Sequence, residues 1–281
     1  MRLVCINDRV PPETPGLLST ACRKRGVEYL ELDALAFDFD PARICEPGDM
    51  LFRPAVSGAA MRVEQFVTAP DTATFYRDSM GCFFPPTGSQ MLFARQGIDV
   101  PRFVYLHHAG RDFIRHWVEQ LGGFPVVAKV GGWSRGVGVV RLDSMAGLFS
   151  FVDYALANGH QPMLMSFIAD AEHWRVVVVG ERAVAAYRNT TDTDDFRTYA
   201  EDRPEAFVEA PPEAVRLACQ AVAAERLEFG GVDVLMHPSG RGYVLESNFP
   251  CYFAHAQLVA GIDIAGAMVE HLQEKARRLT A

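Results

Sequence analysis

The sequence predicts an α/β fold made of more than one lobe. Three features predict it: a strand–helix–strand opening, a middle where apolar strands alternate with helices of 3.6-residue period, and a closing apolar hairpin followed by an amphipathic helix. The chain has 281 residues, 49% hydrophobic and 22% charged, a globular composition long enough to bury a sizeable core. A net charge of −8 argues against nonspecific binding to nucleic acid or to an anionic membrane surface. Any phosphate handling must therefore come from locally concentrated basic residues. The six cysteines are scattered, with no CxxC and no cysteine–histidine pair at metal spacing, and read as buried free thiols of a reducing compartment. The start "MRLVCINDRV" reads as a strand rather than a signal peptide, and no apolar run reaches membrane-spanning length. A soluble cytoplasmic protein is expected, and the sequence does not speak to its oligomeric state.

The elements follow in order. Residues 2–6 form an apolar strand; "LLSTACRKRGVEYLELD" makes a short helix, a stop at Gly26 and a second strand; "DMLFRPAVS" makes a third. That unit is a small α/β domain with a parallel sheet. The breaker-rich "MGCFFPPTGSQ" is a candidate boundary, and "SQMLFARQGIDVP" is a short helix ended by Gly97. Phe113, Ile114, Trp117, Val118 and Leu121 share one helical face, which Gly122 and Gly123 stop. "VVAKV" reads as a buried strand, "GGWSRG" as a turn and "VGVVRL" as the next strand, after which Asp143 caps a helix carrying Leu148, Phe149, Val152 and Ala155. "WRVVVVGERAVAAY" is a β-hairpin, and 189–209 is a polar, Asp/Thr-rich loop. Pro211 and Pro212 open a helix with Val215, Ala218, Cys219 and Val222 on its apolar face. A second hairpin follows, and a last helix shows Ile264, Met268, Leu272 and Leu279 as its stripe.

That second hairpin, "GGVDVLMHPSGRGYVLESN", carries acids at particular places. Asp233 lies inside its first strand, while Glu246 and Asn248 end the second, two apart and so on one face. Buried carboxylates are costly unless paired or bound to a cation. Three converging oxygen-bearing side chains suit a hard divalent ion such as Mg²⁺ held between protein and phosphate. The residues equally allow Asp233 at a sheet edge and Glu246 paired with an arginine. Lys129 stands in an apolar strand just before "GGWSRG", whose glycines permit backbone N–H groups to close over an anion. The turn is not a Walker loop, since GxxxxGK[ST] is absent and a strand follows; a lysine such as Lys129, taken alone, is more often an edge-strand residue. Arg175, Arg188 and Arg197 lead toward the hairpin and could hold phosphate or a carboxylate, or could be solvated surface residues. His173 and His255 lie near these segments and receive no role, and Cys251 reads as a packed thiol rather than a nucleophile.

The order of these parts resembles the ATP-grasp ligases, in the branch of ribosomal-protein glutamate ligases and lysine-biosynthesis carrier ligases. The matching pieces are "FPVVAKVGGWSRGVGVV", "HWRVVVVGERAVAAYRN", "DFR", "GGVDVL", "VLESN" and "AGIDIAG", from about residue 97 onward. The resemblance implies an ATP-grasp fold: an α/β domain over 1–85, a central lobe over 86–165 and a C-terminal lobe over 166–281, with ATP·Mg²⁺ (or Mn²⁺) between the lobes. It implies nucleotide contacts from Lys129, from Gly131, Gly132, Ser134, Arg135 and Gly136 of the turn, and from Leu164, Ser166, Phe167 and Asp170. Asp233, Glu246 and Asn248 would bind the metal, and Arg175, Arg188 and Arg197 would surround the transferred phosphoryl group. The implied reaction joins a small-molecule or peptide carboxylate to an amine through an acyl phosphate, and releases ADP and phosphate. The chain departs from the family in three places. Pro85 and Pro86 stand where an Asp–Lys pair is usual, Met165 and Ser166 where a glutamate often meets adenine, and Tyr199 where asparagine commonly follows "DFR". Two other readings remain: a binding module that has lost turnover, and a kinase of the same fold.

Overall fold

In a computed structural model the described residues are 1–40, 42, 44–78, 89–131, 136–189, 196–197, 205–206 (backbone only) and 209–281. The N-terminal unit contains β1 (Arg2–Asn7), α1 (Glu13–Lys24), β2 (Glu28–Asp33), β3 (Met50–Phe52) and α2 (Gly58–Val67). Its strands form a parallel sheet of order β2-β1-β3, as the strand–helix–strand pattern predicts, with Gly26 at φ +66° turning the chain out of α1. α2 escaped sequence reading. Its signal is Ser57, whose hydroxyl accepts from the Ala60 N–H and supplies the N-cap.

α3 (Ser89–Arg95), β4 (Phe103–Tyr105), α4 (Arg111–Gln120), β5 (Val126–Lys129), β6 (Val139–Leu142), α5 (Met145–Ala157) and β7 (Met163–Ser166) come next. Here β4-β7-β5-β6 make an antiparallel sheet. α4 and α5 cover one face through Ile114, Val118, Leu148 and Val152, packed on Val126, Ala128 and Leu164. α5 is capped by Ser144, whose Oγ accepts from Gly147 N–H at 3.2 Å, and not by Asp143, which pairs with Arg141 instead. The first helix of the segment expected to form the central lobe, α3, packs on the next lobe. Phe93 and Ile98 are buried with Trp174 and Leu217 in the core of the next lobe, whereas the central lobe's own cluster draws on Val104 to Leu164. Residues 80–88 of the breaker-rich stretch, and with them the boundary expected there, lie outside the described residues.

The C-terminal lobe is built from β8 (Glu172–Val179), β9 (Arg182–Asn189), β10 (Glu205–Ala206), α6 (Pro212–Ala224), β11 (Phe229–Met236), β12 (Gly242–Asn248), α7 (Ala254–Ala260) and α8 (Ile264–Leu279). Its antiparallel sheet runs β10-β9-β8-β11-β12. One face packs on α6 through Trp174, Val176, Val178, Val232 and Val234. At its apolar end the other face, with Val177, Val179 and Phe229, meets α8 and the N-terminal sheet in a single shared core. The N-terminal unit is therefore fused to the C-terminal lobe. Lys275 of α8 seals that junction by donating to Glu228 and to the Tyr76 carbonyl. α7, also missed from sequence, follows the metal-candidate strand directly and is left by Gly261 at φ +69°.

Candidate functional site

Pleat and register decide which side chains of the C-terminal sheet share a face. Asp233 on β11 stands opposite Arg175 on β8 and opposite Glu246 on β12. Two positions away Gly231 faces Asn248, and Leu235 faces His173. Asp233, Glu246 and Asn248 thus lie on one face with His173 and Arg175, as the sequence expects for the two β12 residues. β11 is an interior strand, so Asp233 is not at a sheet edge, and it is Asp233 rather than Glu246 that pairs with an arginine.

Asp233 is 5% exposed. Its Oδ1 is 2.9 Å from Arg175 Nε and 3.2 Å from His173 Nε2. Neither contact is aligned as a hydrogen bond, so Oδ1 is a buried carboxylate oxygen with lone pairs left to place. Burial alone would raise this carboxyl's pKa, but Arg175, then His173, and the adjoining Glu246 carboxyl group outweigh it and hold it down at about 2. Arg175 Nη1 donates to the Gly231 carbonyl at 3.0 Å. Burial opposes its charge, yet the Asp233 carboxylate keeps its pKa raised. A Cβ on Gly231 would stand 2.8 Å from Cys251 Cβ and 2.9 Å from Arg175 Nη1, so glycine is what lets the guanidinium lie flat on the strand. Glu246 is exposed, and Asn248 Nδ2 donates to its Oε1 at 3.1 Å.

These residues fit a hard divalent cation. A buried carboxylate with an unaligned oxygen, a second carboxylate against it, and an amide whose nitrogen is already committed leave oxygens as the available donors. Among the described residues no three His, Cys, Asp or Glu side chains cluster as a metal group, because here the third member is an asparagine. Cys251 lies beside the site with its thiol pushed by burial up to about 12, which suits packing and not nucleophilic attack.

The three arginines do not come together. Arg188 stands opposite Trp174, on the α6 face, where its Nη1 meets Glu172 Oε1. Strand alternation puts it on the opposite side of the sheet from Arg175 and the carboxylates, a correction to the expected grouping. The β9 residues that share their face include Tyr187, opposite Arg175, and Asn189, opposite His173. Asn189 Nδ2 donates to His173 Nδ1 at 2.7 Å. Sequence reading gave neither residue a role; the available signal was His173 at two-residue spacing from Arg175 in "HWR". Arg197 lies against the glycine-rich turn, its Nη1 3.5 Å from the Gly136 carbonyl. Gly136, at φ +72°, is thus where the central lobe meets Arg197 of the C-terminal lobe.

On the central sheet Lys129 is half-buried, on an interior strand, with its side chain on the face away from α4 and α5. It is neither the buried lysine nor the edge-strand lysine the sequence allows. Register places Val139 and Met163 beside it, with Val127 and Met165 next along the same face. This is an apolar floor with Lys129 at its end and Arg141, opposite Val127, at its β6 side. Leu164 is fully buried toward the helices, and Ser166 stands opposite Val126 on that same face, so neither side chain faces that floor. Phe167 follows with Arg141 stacked 4.8 Å over its ring, and Asp170 turns the chain at φ +54°. Gly131 is described; Gly132, Ser134, Arg135, Pro85, Pro86 and Tyr199 lie outside the described residues.

A family model described as "RimK-like ATP-grasp domain" matches residues 87–272. A probable alpha-L-glutamate ligase of Xanthomonas oryzae pv. oryzae (strain MAFF 311018) is 32% identical over 193 residues, covering 68% of this chain and 64% of that protein. The ribosomal protein bS6–L-glutamate ligase of Escherichia coli (strain K12 / DH10B) is 29% identical over 191 residues, covering 67% and 63%. The match therefore spans a little under two thirds of the length of these relatives. Among solved structures, the ATP-grasp ligase PsnB complexed with minimal precursor, Mg and ADP superposes with a TM-score of 0.73 at 15% identity, covering 98% of each chain. No described helix is long and apolar enough to cross a membrane.

Proposed function

This chain belongs to the RimK-like ATP-grasp family and has the ATP-grasp fold, and from that premise we propose that it is an ATP- and Mg²⁺-dependent carboxylate–amine ligase. The observation that carries the proposal is the convergence of Asp233, Glu246 and Asn248 on one face around a buried, unaligned carboxylate oxygen. In this reading Asp233, Glu246 and Asn248 hold the metal, which neutralises phosphate charge and orients the phosphoryl group. Lys129 binds phosphate at the end of an apolar floor that accepts the base, and the turn around Gly131 and Gly136 covers it. Backbone groups of the segment from Leu164 to Asp170 line the base.

The γ-phosphoryl group passes to a substrate carboxylate oxygen, and ADP leaves. The amine nitrogen then attacks the acyl carbon of the acyl phosphate, the C–O bond to phosphate breaks, and the amide forms as the nitrogen loses its proton. No protein nucleophile is required. The chain's contribution is placement and charge, with Arg175 and Arg197 as the cations nearest to the developing negative charge. We assign the substrate as a carboxylate on a peptide or protein, with a small amine such as an amino acid as acceptor. Support comes from a relative named as a ligase of glutamate to a ribosomal protein and from a structural neighbour complexed with a precursor peptide. Cytoplasmic location is part of the same proposal. Mg²⁺-dependent ATP turnover in the presence of peptide, absent in Glu246→Ala, tests it; unchanged turnover in that variant removes the metal assignment.

A further inference from the structure

We propose that His173, fixed by Asn189, is a positioning residue that aims Asp233 at the divalent cation; this rests on the metal site proposed above. An arginine facing a lone carboxylate favours the two-pronged pair in which both carboxylate oxygens are taken. That arrangement would leave Asp233 little to offer a metal. Here the guanidinium is divided: Nη1 goes to the Gly231 carbonyl at 3.0 Å, and its closest approach to Asp233, from Nε to Oδ1 at 2.9 Å, is not an aligned hydrogen bond. His173 Nε2 approaches the same Oδ1 from the neighbouring position of β8, at 3.2 Å. Both closest approaches are to Oδ1 and neither is an aligned hydrogen bond, so arginine and histidine fix the carboxylate from one side while lone pairs stay available to a cation.

The imidazole can play this part because its other nitrogen is already settled. With Asn189 Nδ2 as the donor at 2.7 Å, Nδ1 is the acceptor and the ring hydrogen sits on Nε2, the nitrogen 3.2 Å from Asp233 Oδ1. His173 is only 4% exposed and sits between two strands, so the ring cannot swing away. The chain Asn189–His173–Asp233 thus runs across three strands and ends at the metal-binding face. Outer partners of this kind typically change metal affinity by about 10- to 100-fold when removed.

The test measures ADP affinity of the full chain by calorimetry, with Mg²⁺ and with EDTA. The ratio of the two affinities is the gain due to the metal. His173→Leu is expected to cut that gain about tenfold or more while the metal-free affinity holds, because the carboxylate is free to close on Arg175. His173→Gln, whose amide N–H can reach Asp233 from a similar place, is expected to restore most of the gain, and Asn189→Leu to lose part of it. Should His173→Leu not fold, the Gln and Asn189 variants carry the same comparison. Equal loss of both affinities, an unchanged gain in His173→Leu, or no rescue by glutamine would overturn the positioning role. A wild-type chain that binds ADP with no gain from Mg²⁺ would instead overturn the metal site itself.

Discussion

Replacing Asp233 with asparagine tests the energetics of the site without touching its shape. The carboxyl is held down from its usual 3.8 to about 2, against the effect of burial, by Arg175 and His173. Each pH unit of such displacement is worth ~1.4 kcal/mol, so the charged form contributes roughly 2 kcal/mol to folding. Breaking a fully buried ion pair costs more, about 3–5 kcal/mol. The Arg175 side chain is 24% exposed, however, and water can take up part of its charge, so the lower figure should apply. The pH dependence has a fixed sign. A carboxyl whose folded pKa is depressed stabilises fully above its unfolded pKa and loses that contribution as pH falls through the folded value. The gap between wild type and Asp233→Asn should therefore stay near 2 kcal/mol from pH 7 down to about 5, then close between about pH 4 and 2. Urea unfolding in EDTA at a series of pH values measures it. A gap below ~0.5 kcal/mol at pH 7, or one unchanged down to pH 2.5, would refute the ion-pair account.

Other perturbations separate the residues further. Glu246→Ala should abolish turnover while stability changes by no more than ~0.5 kcal/mol, since that side chain is exposed; thermal unfolding beside an ATPase assay reads both. Lys129→Ala should weaken ATP binding by about ten- to a hundredfold, the worth of a charge-assisted phosphate contact, and an unaltered Kd would remove Lys129 from the site. Arg175→Ala should abolish turnover, whereas Arg188→Ala, on the α6 face, should leave kcat within about threefold; equal losses would mean that the strand register does not govern the chemistry. Gly231→Ala should cost ~1–3 kcal/mol and lower turnover, because its Cβ meets both Cys251 and Arg175; wild-type stability would contradict that packing.

Much of this arrangement is legible in the sequence because period and punctuation carry it. The parallel N-terminal unit follows from two apolar strands around an amphipathic helix stopped at Gly26, and the metal face from Glu246 and Asn248 two apart in a strand. What the sequence hides is register. Arg188 lies one residue from Asn189, and a step of one reverses the face, so the arginine visible in the sequence points to α6 while the asparagine reaches the site. Burial of Lys129 is misjudged for a related reason. "VVAK" looks uniformly apolar, but its sheet is covered by helices on one side only, so alternate residues face away from them. The α3 segment reads as part of the central lobe because nothing local shows which neighbour Phe93 will find. Helix α2 and the true cap of α5 depend on single serines that composition does not make conspicuous.

The most direct measurement of the central claim is product analysis. The chain is incubated with ATP, Mg²⁺ and a pooled panel of amino acids and short peptides, with nucleotides resolved by chromatography and products by mass. The account predicts ADP and phosphate in equal amounts with a condensation product lighter than its two substrates by one water. AMP as the nucleotide product, or ADP accompanied by a phosphorylated substrate and no amide, would contradict it.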